Sequence, residues 1–91
     1  MEKVVVELFT DQRNCPVLKV PQRQFPGVLV PGDTLDSLIK DFEAIGTTIR
    51  RSLGDAEPCN RFDAIVSRLK LMRETYVSAL IQHDLKLPFN Y

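Results

Sequence analysis

Hydrophobic positions along the chain follow two periods, and the change falls near residue 32. Val4 to Phe9 (VVVELF) alternates, with Val4, Val6 and Leu8 on one face, Val5 and Phe9 on the other, and Glu7 between them. This β-branched, aromatic run predicts a strand at about 3–9, apolar on both faces and so requiring cover on both. Asp11-Gln12-Arg13-Asn14 reads as a turn. Pro16 to Val20 (PVLKV) predicts a second strand at 16–20, stopped by Pro21, and Gly27 to Val30 a third at 27–30, closed by Pro31-Gly32. Four of the six prolines fall between residues 16 and 31, which keeps these strands short and their edges managed.

Beyond Gly32 the period becomes helical. Asp33 or Thr34 supplies an N-cap, and Asp36 adds negative charge in the first turn. Leu35, Leu38, Ile39, Phe42, Ile45, Ile49 and Leu53 form one apolar stripe, predicting a helix over 34–53, about 30 Å long. Arg50 and Arg51 suit its last turn and Gly54 its C′ position. Gly46 costs about 1 kcal/mol relative to alanine in mid-helix, which implies close backbone packing there. Pro58 opens a second helix, predicted over 58–84, whose stripe runs through Phe62, Ile65, Val66, Leu69, Met72, Tyr76, Ala79 and Leu80. Phe42 and Ile65 are expected in the core. The short link makes the two helices an antiparallel hairpin, and the apolar tail Leu85 to Tyr91 is expected to fold back. The fold class is α+β: a small antiparallel sheet of two or three strands packed against the hairpin, in a single domain over 1–91.

Composition narrows the function. The hydrophobic fraction is 44% and the charged fraction 26%, ordinary for a globular chain. Twelve basic residues balance twelve acidic ones, and the balance holds locally, with +1 over residues 1–32, −1 over 33–53 and zero over 54–91. Such a surface neither attracts nucleic acid nor imitates it, so no nucleic-acid partner is expected. No apolar run approaches a membrane span or a signal-peptide core, which points to the cytoplasm and to no membrane partner. The two cysteines, Cys15 and Cys59, lie in neither C-x-x-C nor zinc spacing and read as free thiols, the second near a helix start.

Candidate chemistry is sparse. His83, the single histidine, falls at the end of the second helix, and Asp84 beside it points about 100° away. Cys59 and His83 stand at opposite ends of roughly 37 Å of helix, so they cannot form a nucleophile and base. Asp33 and Asp36 lie one turn apart and could in principle share a metal; capping, and an Asp36–Lys40 pair at i, i+4, account for both. No catalytic residue, cofactor or metal site is therefore assigned. Arg61, Arg68, Lys70 and Arg73 surround the second helix's apolar stripe rather than forming one patch. Phe25-Pro26, flanked by Arg23 and Gln24 between two strands, is different: an aromatic beside an arginine is a frequent interface anchor. Two readings stay open, a surface anchor or a plug over the sheet edge.

The run Arg23-Gln24-Phe25-Pro26-Gly27-Val28, followed by Gly32-Asp33-Thr34-Leu35, resembles a family of small bacterial proteins of unknown function. That family shows an opening strand, R-x-F-P-G-[VI], then G-D-[ST]-L, a helical half and an ending like L-P-Y. This chain is similar over its whole length, with Leu87-Pro88-Phe89 at the ending, a phenylalanine replacing the tyrosine. The resemblance brings no catalytic or ligand residues.

Three function classes follow. The first is a non-enzymatic protein-binding module, most concretely a bacterial immunity or adaptor protein of a toxin or secretion system, by class-level analogy with orphan domains of this size. Its partner-binding residues would be Arg23 and Phe25, with Arg68 and Arg73 on the exposed face of the second helix as the other candidate surface. The near-zero net charge weakens the narrower idea of a nuclease inhibitor. The second class is a small-molecule or anion-binding regulatory domain using Gly32 to Thr34. An enzyme using acids of the first helix comes last. A symmetric homodimer is the simplest cover for the strand that is apolar on both faces.

Overall fold

Proline placement decides how long the strands become. In the computed structural model, which describes residues 1–11, 15–53 and 57–91, the first compact unit is Met1–Pro31 and the second Gly32–Tyr91. The first holds three strands, β1 (Glu7–Leu8), β2 (Val17–Lys19) and β3 (Gly27–Val28), in the order β1-β2-β3. Both pairings are antiparallel, with Glu7 opposite Lys19, Leu8 opposite Leu18, Val17 opposite Val28 and Leu18 opposite Gly27. The strands are shorter than the 3–9, 16–20 and 27–30 expected. Pro16 and Pro21 bracket β2, neither can donate to a ladder, and three paired residues in the middle strand limit both neighbours. Val4 to Val6 thus have no strand opposite them.

Local hydrogen bonds extend the ladder slightly. Phe9 N–H donates to the Val17 carbonyl at 2.8 Å and Leu29 N–H to the Pro16 carbonyl at 3.0 Å. The Thr10 hydroxyl accepts from Val17 N–H at 3.0 Å, closing the β1–β2 connection. Between β2 and β3, Arg23 N–H donates to the Val20 carbonyl, with Pro21 at the second position and Gln22 at φ 71°. That is a type II turn, with glutamine in the place that favours glycine.

The second unit is a helical hairpin, α1 (Gly32–Leu53) and α2 (Glu57–Gln82), close to the expected bounds. Asp36 meets Arg73, Glu43 meets Lys70 and Arg50 meets Asp63, so the helices run antiparallel. Its core is Leu35 and Ile39 from α1 with Cys59, Val66 and Val77 from α2, Ile39 being fully buried. Phe42 and Phe62 are half-buried, in edge-to-face contact at 5.8 Å. The close approach expected at Gly46 is present: a Cβ there would come within 2.9 Å of Phe62 Cε1. Ile65 is not core. It is 50% exposed, because the apolar stripe of α2 is wider than one facing helix can cover and the seam runs through Val66 instead.

The tail folds back on this unit as expected. Phe89 stacks on Tyr76 at 6.2 Å, Tyr91 lies over the Arg73 guanidinium at 5.2 Å, and Lys40 Nζ donates to the Asn90 carbonyl at 3.3 Å. α2 ends two residues before the expected Asp84. Asp84 N–H bonds the Ile81 carbonyl and Leu85 N–H the Leu80 carbonyl, with Asp84 at φ 57°; this is a Schellman motif. Three of the four residues of the expected turn Asp11-Gln12-Arg13-Asn14, those at 12–14, and the helix stop at Gly54 lie outside the described residues. Among the described residues, no helix is long and apolar enough to cross a membrane.

Candidate functional site

The sheet's two faces differ, and the register says why. Leu8, Leu18 and Gly27 lie opposite one another across the three strands. With period two, Val6, Val20, Phe25 and Leu29 fall on that same face, making it apolar throughout. The opposite face carries the Glu7–Lys19 cross-strand pair of opposite charge beside Val17 and Val28. On the apolar face the position beside Leu18 in β3 is a glycine, so a dent forms where a side chain would stand. A Cβ on Gly27 would find nothing within 4 Å. The result is an open hollow of about 400 Å³ lined by Leu18, Val20, Arg23, Phe25, Gly27, Val28 and Leu29.

Arg23 and Phe25 are therefore brought together at one hollow. The type II turn puts Arg23 at its rim, and Pro26 follows Phe25 directly into β3. Phe25 is 74% exposed, so it stands out from the sheet rather than plugging its edge. Val20, Val28 and Leu29 are exposed as well. An aromatic, the three aliphatic side chains of Leu18, Val20 and Leu29 and one cation around an unfilled dent can accept an apolar side chain with a carboxylate beside it.

Arg68 and Arg73 are not brought together, which corrects their joint placement on an exposed α2 face. Five residues apart, they point about 140° apart on a helix. Arg68 is exposed, whereas the Arg73 side chain is only 14% exposed and lies against α1. There Arg73 Nη1 meets Asp36 Oδ1 at 2.8 Å, and Lys40 Nζ meets Asp36 Oδ2 at 2.8 Å. Each carboxylate oxygen has its own cation. The Asp36 pKa is lowered, first by the Lys40 hydrogen bond and then by the Arg73 one; burial opposes both. Arg73 Nε is buried without a partner. Sequence spacing gave the Asp36–Lys40 contact but not the Arg73 one, which lies 37 residues away and depends on how the two helices are aligned.

The other candidate chemistry disperses. Cys59 is buried and its thiol donates to the Ile49 carbonyl at 3.8 Å; Cys15 is free and half-buried. His83 is exposed at the α2 terminus. Asp33 Oδ1 accepts from Thr34 N–H at 2.9 Å, and Gly32 lies directly under the Tyr76 ring. The side of Gly32 is thus covered by Tyr76, while Asp33 and Thr34 are exposed. Among the described residues, no three His, Cys, Asp or Glu side chains are grouped to hold a metal ion.

Residues 1–89 match the model of DUF6959, a family of unknown function, and the chain belongs to that family. No curated protein and no solved structure matches it.

Proposed function

We propose that this member of the DUF6959 family is a non-enzymatic protein-binding module, most concretely an immunity or adaptor protein of a bacterial toxin or secretion system. Its partner docks on the hollow over Gly27. The observation that supports this reading is the exposure of Phe25 beside an unfilled, apolar dent with Arg23 at its rim. Large exposed aromatics cost solubility, and a contiguous apolar patch of this kind marks an interaction surface. The complementary partner surface is an aliphatic side chain that fills the dent, flanked by a carboxylate that meets Arg23. The rest of the chain supports binding over catalysis. Its buried carboxylate is paired twice, its buried thiol bonds a backbone carbonyl, and its single histidine is exposed.

The test uses two variants of the full chain. Arg23→Ala, Phe25→Ala removes the rim, and Gly27→Leu fills the dent, where the structure leaves room for a side chain. Both should melt within about 0.5 kcal/mol of wild type, as surface changes do. Both should lose at least about thirtyfold in affinity for the partner that the wild type captures from its host. Undiminished affinity in both variants would remove the hollow from consideration as the docking site. An early melt of the double variant would make Phe25 a structural residue.

A further inference from the structure

We propose that the outer edge of β1 pairs with the same edge of a second copy of the chain, antiparallel, with Val5 on the two-fold axis. β1 is an edge strand, and its inner hydrogen bonds settle which groups face outward. Phe9 N–H donates inward to the Val17 carbonyl, so Phe9 and Glu7 direct their backbone groups to β2. Leu8, and by alternation Val6 and Val4, direct theirs to the free edge. Among the described residues, Val4, Val5 and Val6 make no backbone–backbone hydrogen bond. The β3 edge is bracketed by Pro26 and Pro31, whereas 3–9 contains neither a proline nor a glycine, and its charges are Lys3 and Glu7. That leaves β1 as the unguarded edge.

Hydrogen bonding across the edge requires even-numbered residues to face even-numbered residues. Of the registers this permits, the one centred on Val5 is singled out by charge. Val4 then faces Val6 of the partner subunit in a hydrogen-bonded pair, and Lys3 faces Glu7 of the partner subunit in the closer, non-bonded pair. Symmetry makes the ion pair twice. Centring on Val4 would instead set Lys3 against Val5 of the partner subunit, and centring on Val6 would set it against Phe9 of the partner subunit. The proposed register also covers Val5, which is 89% exposed in the single chain. It extends two three-stranded sheets into one of six strands, with both Gly27 hollows on the same side. The surface is the strand edge, not the hollow, so this pairing stands or falls separately from partner docking.

Sedimentation velocity on the full chain, from low to high micromolar, tests it. A concentration-dependent dimer is expected. Lys3→Glu should weaken it about tenfold by setting like charges opposite each other, and Lys3→Glu, Glu7→Lys should restore it. Because Glu7 also faces Lys19, circular dichroism is used to confirm that the double variant folds. In a Cys15→Ser background, Val5→Cys should form a disulfide-linked dimer under mild oxidation, since facing non-bonded Cα atoms lie about 4.5 Å apart. Val4→Cys should not, its twin being roughly 8–9 Å away and beyond disulfide reach. A monomer at high micromolar concentration, a dimer indifferent to Lys3→Glu, or equal crosslinking through residues 4 and 5 would each overturn the proposal.

Discussion

Asp36 is the residue on which the hairpin's electrostatics turn. At 2% exposure it has exchanged water for two cations, and these hold its carboxyl in the ionised form below the ordinary carboxylate range. A depressed folded pKa contributes stability that is complete above the unfolded value. That contribution fades as pH falls through the lower, folded value. Thermal melts should therefore decline below about pH 4, and Asp36→Asn should be less stable at neutral pH with a flatter acid limb. An equally steep limb in the variant would assign acid sensitivity to other groups. At two of the three described non-glycine residues with positive φ, a turn makes the backbone the issue instead. Gln22 and Asp84 hold positive φ where glycine is free of strain. Asp84→Gly should raise stability by about 1 kcal/mol, read from the shift in Tm, because the Schellman geometry stays and the left-handed cost goes. Pro21 marked the first turn in the sequence. Nothing in the residue types marked the second, since aspartate at C′ is an exception to the glycine rule.

Between elements, the question is which part of a broad apolar stripe is the seam. Periodicity placed both helices within two residues of their observed ends, because capping and apolar spacing are local properties. It could not distinguish Ile65 from Val66, which are adjacent on the stripe; only the alignment of α2 against α1 does that. The two should respond differently. Ile39→Ala, at a fully buried position, should cost about 2–5 kcal/mol in chemical denaturation. Ile65→Ala should cost less than about 1 kcal/mol, since half of that side chain already meets water. A large loss at Ile65 would mean that it is covered in solution. The ion pairs add little by comparison. Arg61 and Glu57 are both mostly exposed, and such i, i+4 pairs give about 0.3–0.5 kcal/mol. The same contrast explains the candidate site. Arg23 and Phe25 were visible as an R-x-F pattern, whereas the dent beside them exists only because Gly27 stands in register with Leu18, a pairing that no local signal encodes.

For the whole molecule, the two compact units are unequal in what they bury. Every core residue named above belongs to Gly32–Tyr91, and none of the described residues of Met1–Pro31 is buried. A unit of about thirty residues falls below the size at which a chain holds a core without disulfides, metals or association. Its three strands pair over two or three residues each, and by itself a sheet this short is marginal in water. The hairpin is in a different position, with a seam of aliphatic contacts, an edge-to-face aromatic pair and a tail that ties Tyr76, Arg73 and Lys40 together. The fragment 32–91 should therefore retain helical circular dichroism and a cooperative melt. A peptide of residues 1–31 should give the narrow amide dispersion of an unfolded chain at low micromolar concentration. Raising that peptide to millimolar concentration distinguishes two origins for any sheet that appears. Order that grows with concentration, and needs about tenfold more peptide in Lys3→Glu, comes from pairing at the β1 edge. Order present already at low concentration would show that the strands suffice by themselves, and the burial argument for this unit would then be wrong.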